Sequence, residues 1–222
     1  MFDGFDPKLF EFLHGLEANN SKTWFDAHRS DYEWFYKNAA EELVADISQE
    51  LSALGLKAMP KVNGSLRRIN RDVRFSKDKS PYHAHMHLVF WSGDHPNRSA
   101  GMHFVIKAAG IGYGAGHYGM NADILTRYRA VVCDESKRAA LQEALAAAKA
   151  VGSELEPPAL ARVPKGFEAN PDWEDLLKHK SIVARTMTDQ PHPAWLTNQN
   201  AKDGILDLTK AHLPLIAWLR AI

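Results

Sequence analysis

Six basic side chains fall within residues 67–82, accompanied by only two acids, Asp72 and Asp78. The segment reads Arg-Arg-Ile-Asn-Arg-Asp-Val-Arg-Phe-Ser-Lys-Asp-Lys-Ser-Pro-Tyr. If it is extended, Arg68, Asn70, Asp72 and Arg74 share one face, and Arg67, Ile69, Arg71, Val73 and Phe75 share the other. The first face is wholly polar. Planar guanidinium groups flanking an amide and a carboxylate suit an oxyanion such as phosphate or carboxylate, two of whose oxygens accept paired N–H bonds. Arg68, Asn70, Arg71 and Arg74 are therefore the expected ligand-binding residues, with Lys77, Lys79 and Tyr82 at the rim. Asp72 is the candidate catalytic residue: it holds an arginine in place, or acts as acid or base if its surroundings raise its pKa. The competing reading is a solvated edge on which Asp72 and Asp78 simply pair with these bases.

The next residues, His83-Ala-His-Met-His-Leu-Val-Phe-Trp91, alternate again. On a strand, His83, His85 and His87 share a face opposite Ala84, Met86, Leu88 and Phe90. Imidazoles two apart on a strand can ligate one metal ion, and His103 on the following strand offers a third nitrogen. A metal-dependent hydrolase on His85, His87 and His103 is thus an alternative function. Against it, no acid is spaced to complete a ligand set, so no metal is assigned. The plainer reading is a set of histidines on the open face of a half-buried antiparallel sheet.

Around these residues the hydrophobic period changes twice. The first third is helical: Leu9, Phe10, Phe12, Leu13 and Leu16 form a short apolar face, and Asn20 or Ser21 caps a second helix carrying Trp24 and Phe25. Phe35, Ala39, Leu43, Ile47, Leu51 and Leu54 then recur as one helical stripe that Gly55 terminates. The middle third has the period of strands. Met102 to Lys107 and Ile111 to Tyr118 predict a hairpin with Gly110 at a residue of positive φ. Gly112, Gly114 and Gly116 lie two apart on a strand, whereas a phosphate loop needs its glycines at a strand-to-helix turn. They are expected instead to make room for aromatic neighbours or an approaching helix, and no cofactor is expected. The last third returns to helix. Asn121 or Asp123 and Asp134 are the predicted caps, Asn170-Pro171 opens a further helix, 181–188 is a short strand, and a final helix is bent or interrupted at Pro214.

This order predicts an α+β fold, a central antiparallel sheet with N-terminal and C-terminal helices packed on it, in a single domain over residues 1–222. The 222 residues suffice for a sizeable core, and Lys plus Arg balance Asp plus Glu at 27 each. With no net field, nucleic acid is an unlikely partner, although a nucleic-acid or protein interaction module is a third alternative because aromatic residues flank the basic ones. The single cysteine, Cys133, excludes a disulfide within the chain and reads as a small buried hydrophobe. No apolar run is long enough to span a bilayer and no leader precedes the first helix, so a cytoplasmic location and no membrane partner are expected. Oligomeric state is not legible.

The stretch Arg68 to Tyr82 closely resembles the signature of domain of unknown function family 2461, an uncharacterised bacterial and fungal family. Asn20 with Trp24-Phe25, the run Gly114-Ala115-Gly116-His117-Tyr118, the loop Pro164-Lys165-Gly166-Phe167 and the helix end Pro214-Leu215-Ile216-Ala217-Trp218-Leu219 are similar to that family too, so the resemblance covers nearly the whole chain. It implies a soluble α+β domain and carries over no activity, substrate or catalytic residue. The chain departs from the family after Tyr82, where lysine, threonine and asparagine-like residues are usual and histidines stand here. The residues and the resemblance together lead to one expectation: a basic pocket for a phosphate- or carboxylate-bearing small molecule, in a binder or in an enzyme that acts on it.

Overall fold

The computed structural model describes residues 2–168 and 170–222. Its strands are β1 (His85–Trp91), β2 (Gly101–Lys107), β3 (Ile111–His117), β4 (Glu154–Leu155) and β5 (Ile182–Arg185), and they form one antiparallel sheet in the order β1-β2-β3-β5-β4. Before the sheet come α1 (Lys8–Ala18), α2 (Lys22–Ala27), α3 (Arg29–Asp31), a π-helical stretch (Tyr32–Asn38) and α4 (Ala39–Ala53). α5 (Ala122–Cys133) and α6 (Glu135–Ala150) follow β3, α7 (Glu174–Leu177) precedes β5, and α8 (Ala201–Arg220) runs unbroken through Pro214. The α+β expectation is met.

The chain divides into two compact units. The first comprises Met1–Phe90, His103–Tyr113 and Thr188–Leu208. Leu9, Leu13, Leu16, Leu43, Ile47 and Leu51 from its helices are buried, as are Met86, Leu88, Phe90, Phe104 and Ile106 from its strands. The strand residues are the even-numbered set, so the odd-numbered set, including His85, His87 and His103, occupies the other, half-buried face. The second unit comprises Trp91–Met102, Gly114–Met187 and Thr209–Ile222. Tyr128, Val132, Leu141, Ala148, Val183 and Leu215 are buried in it. Two polar handles are satisfied there: the Tyr128 hydroxyl donates to the Leu176 carbonyl at 2.7 Å, and the Trp218 indole N–H to the Lys137 carbonyl at 2.8 Å.

Capping follows the sequence chemistry. The side chains of Ser21, Asn121 and Asp134 accept from the backbone N–H of Trp24, Ile124 and Lys137. Gly55 has φ 75°, as a helix terminator does. Other expectations are corrected. Tyr32, Tyr36 and Ala40 are buried where Phe35 and Ala39 were expected, because the π-helical stretch inserts an extra residue per turn and rotates the apolar stripe. Gly110 is not among the glycines of positive φ. A Cβ there would lie 2.3 Å from the carbonyl oxygen of Gln190, so close backbone approach is what demands glycine. Gly114 and Gly116 likewise face a neighbouring strand's backbone, that of β5, and not aromatic rings or a helix. Cys133 is exposed: Val132 takes the buried position at that end of α5.

Candidate functional site

The signature segment is an arm folded back along β1. Arg67 N–H donates to the His87 carbonyl at 2.9 Å, Val89 N–H to the Ser65 carbonyl at 2.9 Å, His83 N–H to the Ile69 carbonyl at 2.7 Å and Arg71 N–H to the Pro81 carbonyl at 2.8 Å. These bonds run antiparallel, with Leu66 opposite Leu88 and Asn70 opposite Tyr82. The pair numbers sum to 154 at one end and 152 at the other, so two extra residues bulge out between His83 and His87.

Asn20 fastens the arm. Its side-chain oxygen accepts from Tyr82 N–H at 3.0 Å and its amide donates to the Tyr82 carbonyl at 2.9 Å. The Tyr82 ring stacks on Phe25, with centroids 4.2 Å apart. Tyr82, expected at the rim of a pocket, is instead buried as the arm's anchor. Asn20→Ala leaves a backbone donor and acceptor without partners and should cost about 2–3 kcal/mol. Urea unfolding of the variant checks it.

The tip of the arm, residues 72–80, is stitched to itself. Arg74 grips Asp72 through two side-chain bonds, Nε to Oδ1 at 2.9 Å and a terminal nitrogen to Oδ2 at 2.7 Å. This holds the Asp72 carboxyl below the usual carboxylate range, the reverse of what a general base at neutral pH needs. Asp78 is held down to about 2, chiefly by Ser80 and then by Arg71. Arg71 bonds both Asp78 and the Ser80 carbonyl, and Lys79 donates to the Val73 carbonyl at 3.0 Å. Arg68, Asn70 and Lys77 are exposed, and Phe75 is 95% exposed.

Alternation holds over residues 67–71: Arg68 and Asn70 point to solvent while Arg67, Ile69 and Arg71 are turned in. The inward set therefore meets the histidines. Arg67, His87 and His103 form one row across the arm, β1 and β2, since Arg67 pairs with His87 and His87 Nε2 lies 2.8 Å from His103 Nδ1. The rings of His83, His85 and His87 follow one another at 5.1 and 6.2 Å between centroids. The Tyr36 hydroxyl, aligned by the π-helical stretch, donates to the His85 carbonyl at 3.0 Å and pins the bulge.

Burial pushes the imidazoles toward the neutral form: His85 and His103 to about 4 and His87 to about 2. Neighbouring cations push the same way. Arg67 acts on His87 and His103, and Arg71 and Arg68 act on His83, itself lowered first by burial. Near His85, Lys107 acts downward and Asp189, bonded to Lys107, upward. The result is a half-buried face of neutral imidazoles in a positive field. Sequence reasoning named the histidines and the arginine parity but not Arg67 or Tyr36; the inward alternation of Arg67 with Ile69 was the available signal. Among the described residues, no three His, Cys, Asp or Glu side chains gather in a way that could hold a metal ion. His87 and His103 use a ring nitrogen on each other, and His85 stands off.

The profile of a family described as conserved hypothetical protein (DUF2461) matches residues 8–218. No curated protein and no solved structure matches the chain. Among the described residues, no helix is long and apolar enough to cross a membrane.

Proposed function

The chain belongs to the DUF2461 family of conserved hypothetical proteins, and from the place of that family's signature in this fold we propose that it binds an oxyanion-bearing small molecule, a phosphate or carboxylate compound, on the face of Arg67, Arg71 and the four histidines. The observation that carries this reading is the row Arg67–His87–His103, whose histidines are lowered chiefly by burial, then for His87 by the neighbouring imidazoles, with Arg67 pushing both the same way. An arginine is charged at every working pH and presents a planar fork of donors to an oxyanion. A neutral imidazole carries one N–H donor and does not need a counter-ion; in the His87–His103 pair one N–H is spent between the rings, so the pair turns a single N–H outward, beside those of His83 and His85. An anion entering this face would offset the positive field acting on the imidazoles, so field and ligand are complementary.

Arg68 stands at the rim of this face, while Asn70, Asp72, Arg74, Lys77 and Lys79 belong to the arm's outer side and tip. In this reading Asp72 shapes the tip by holding Arg74. The histidines bind and orient: groups titrating at about 2 to 4 are weak bases at neutral pH.

Calorimetric titration with inorganic phosphate and a panel of phosphorylated and carboxylated metabolites tests the proposal. Arg67→Gln and His87→Gln should each weaken the best ligand by about tenfold or more. Arg74→Ala at the tip should leave affinity unchanged. Unaltered binding in Arg67→Gln, or a loss confined to Arg74→Ala, would move the site elsewhere.

A further inference from the structure

Trp24, which the anion face does not use, walls a separate cavity of about 460 Å³ in the first unit. Phe12, Trp24 and Phe35 supply its aromatic surface, and Glu11, Asp31 and Lys8 its charges. The indole is held fast. A Cβ on Gly15 would lie 2.6 Å from Trp24 Cζ2, so α1 is hollowed at this point to seat the ring. The His28 ring stacks on the indole with centroids 3.9 Å apart and planes 13° from parallel, and its Nδ1 lies 2.8 Å from the Trp24 carbonyl. Phe35 already carries an ammonium: Lys8 Nζ sits 5.2 Å from its ring centroid. The neighbouring ion pairs join Asp26 to Lys22 and Arg29, and Glu33 to Lys37, while Glu11 and Asp31 face the cavity.

We propose that this cavity binds an organic cation of the alkylammonium class. The aromatic faces attract an ammonium through their quadrupoles, most strongly where water is displaced. Two carboxylates against one lysine give the lining a negative balance. The volume falls within the range of small-molecule sites, well above what a lone metal ion fills. Lys8 marks where a ligand's positive charge rests, and it competes for that place. The proposal is independent of the anion face, since its cavity shares no residue with it.

The test titrates the whole protein with choline and with 3,3-dimethylbutan-1-ol, its uncharged isostere, following Trp indole N–H signals by NMR. Choline should bind saturably and the isostere about tenfold more weakly. Lys8→Ala, at an exposed position, should strengthen choline binding severalfold by removing the internal competitor. Glu11→Gln should weaken it severalfold and leave the isostere unaffected. A merely structural cavity would not respond to Lys8→Ala with tighter binding. Equal binding of choline and the isostere, no saturable binding in the millimolar range, or choline affinity unmoved or weakened in Lys8→Ala would each overturn the proposal.

Discussion

Lowering the pH from 7 to about 4.5 should remove on the order of 5–7 kcal/mol of folding stability, and replacing His85, His87 and His103 together by Gln should abolish most of that loss. The sign follows from burial. In the unfolded chain each imidazole takes up a proton near its ordinary pKa of about 6.5. In the fold, His85 and His103 wait until about 4 and His87 until about 2. Between those limits the unfolded chain holds more protons, so stability is full above the ordinary value and falls as the pH drops toward the folded ones. Each group contributes a slope of about 1.4 kcal/mol per pH unit. The first proton taken up repels the next across the 2.8 Å contact of His87 and His103, so protonation within this pair is stepwise. Thermal melts of the parent and the triple Gln variant across this pH range check it. Parallel curves would mean that the row is wetter than its burial implies. Saturating anion should flatten the parent's curve, because a bound oxyanion favours the imidazolium form.

Gly116→Ala should be the most damaging single-methyl change in the strands, with a loss above about 3 kcal/mol. The added Cβ would meet the Ile182 carbonyl oxygen and the Val183 Cα at 2.2 and 2.6 Å. Both are backbone atoms of β5, held in register with β3, so neither can turn aside as a flexible side chain would. Gly114 faces the same strand, with Ala184 O and Arg185 Cα at 2.4 and 2.5 Å. At Gly119, by contrast, the nearest atom to an added Cβ is Asn97 O at 3.5 Å, an ordinary contact. Gly119→Ala should therefore stay within about 0.5 kcal/mol of the parent. Urea denaturation of the two variants separates the outcomes, and a mild Gly116→Ala would show that β3 and β5 can part without consequence.

The fold class, the helix caps and the hairpin were legible because local chemistry decides them. Ser21, Asn121 and Asp134 bond N–H groups three residues away, and β2 and β3 alternate visibly. What remained hidden depends on distance or on geometry that sequence does not mark. Asn20 reads as a cap, yet its partner is Tyr82, 62 residues later. No pattern announces the π-helical turn, although it decides that Tyr36 and not Phe35 reaches the sheet. β4 is two residues long and carries no period at all. At the site, the alternation of Arg67 to Arg71 was readable, but which side faced the histidines was not. The polar face looked the better binder by composition. In the fold it is the solvent side, and the side interleaved with Ile69 adjoins the imidazoles. Pairing within the tip was foreseeable from Asp72 and Asp78, whose spacing to Arg74 and Ser80 suits short loop bonds.

The most direct measurement is histidine-resolved NMR at neutral pH during a sulfate titration, a probe whose own charge does not change in this range. The imidazole signals of His83, His87 and His103 should move together and saturate, and Arg67→Gln should remove the response while the fold is kept. Histidine signals that stay fixed, or drift without saturation alike in parent and variant, would contradict oxyanion binding on this face.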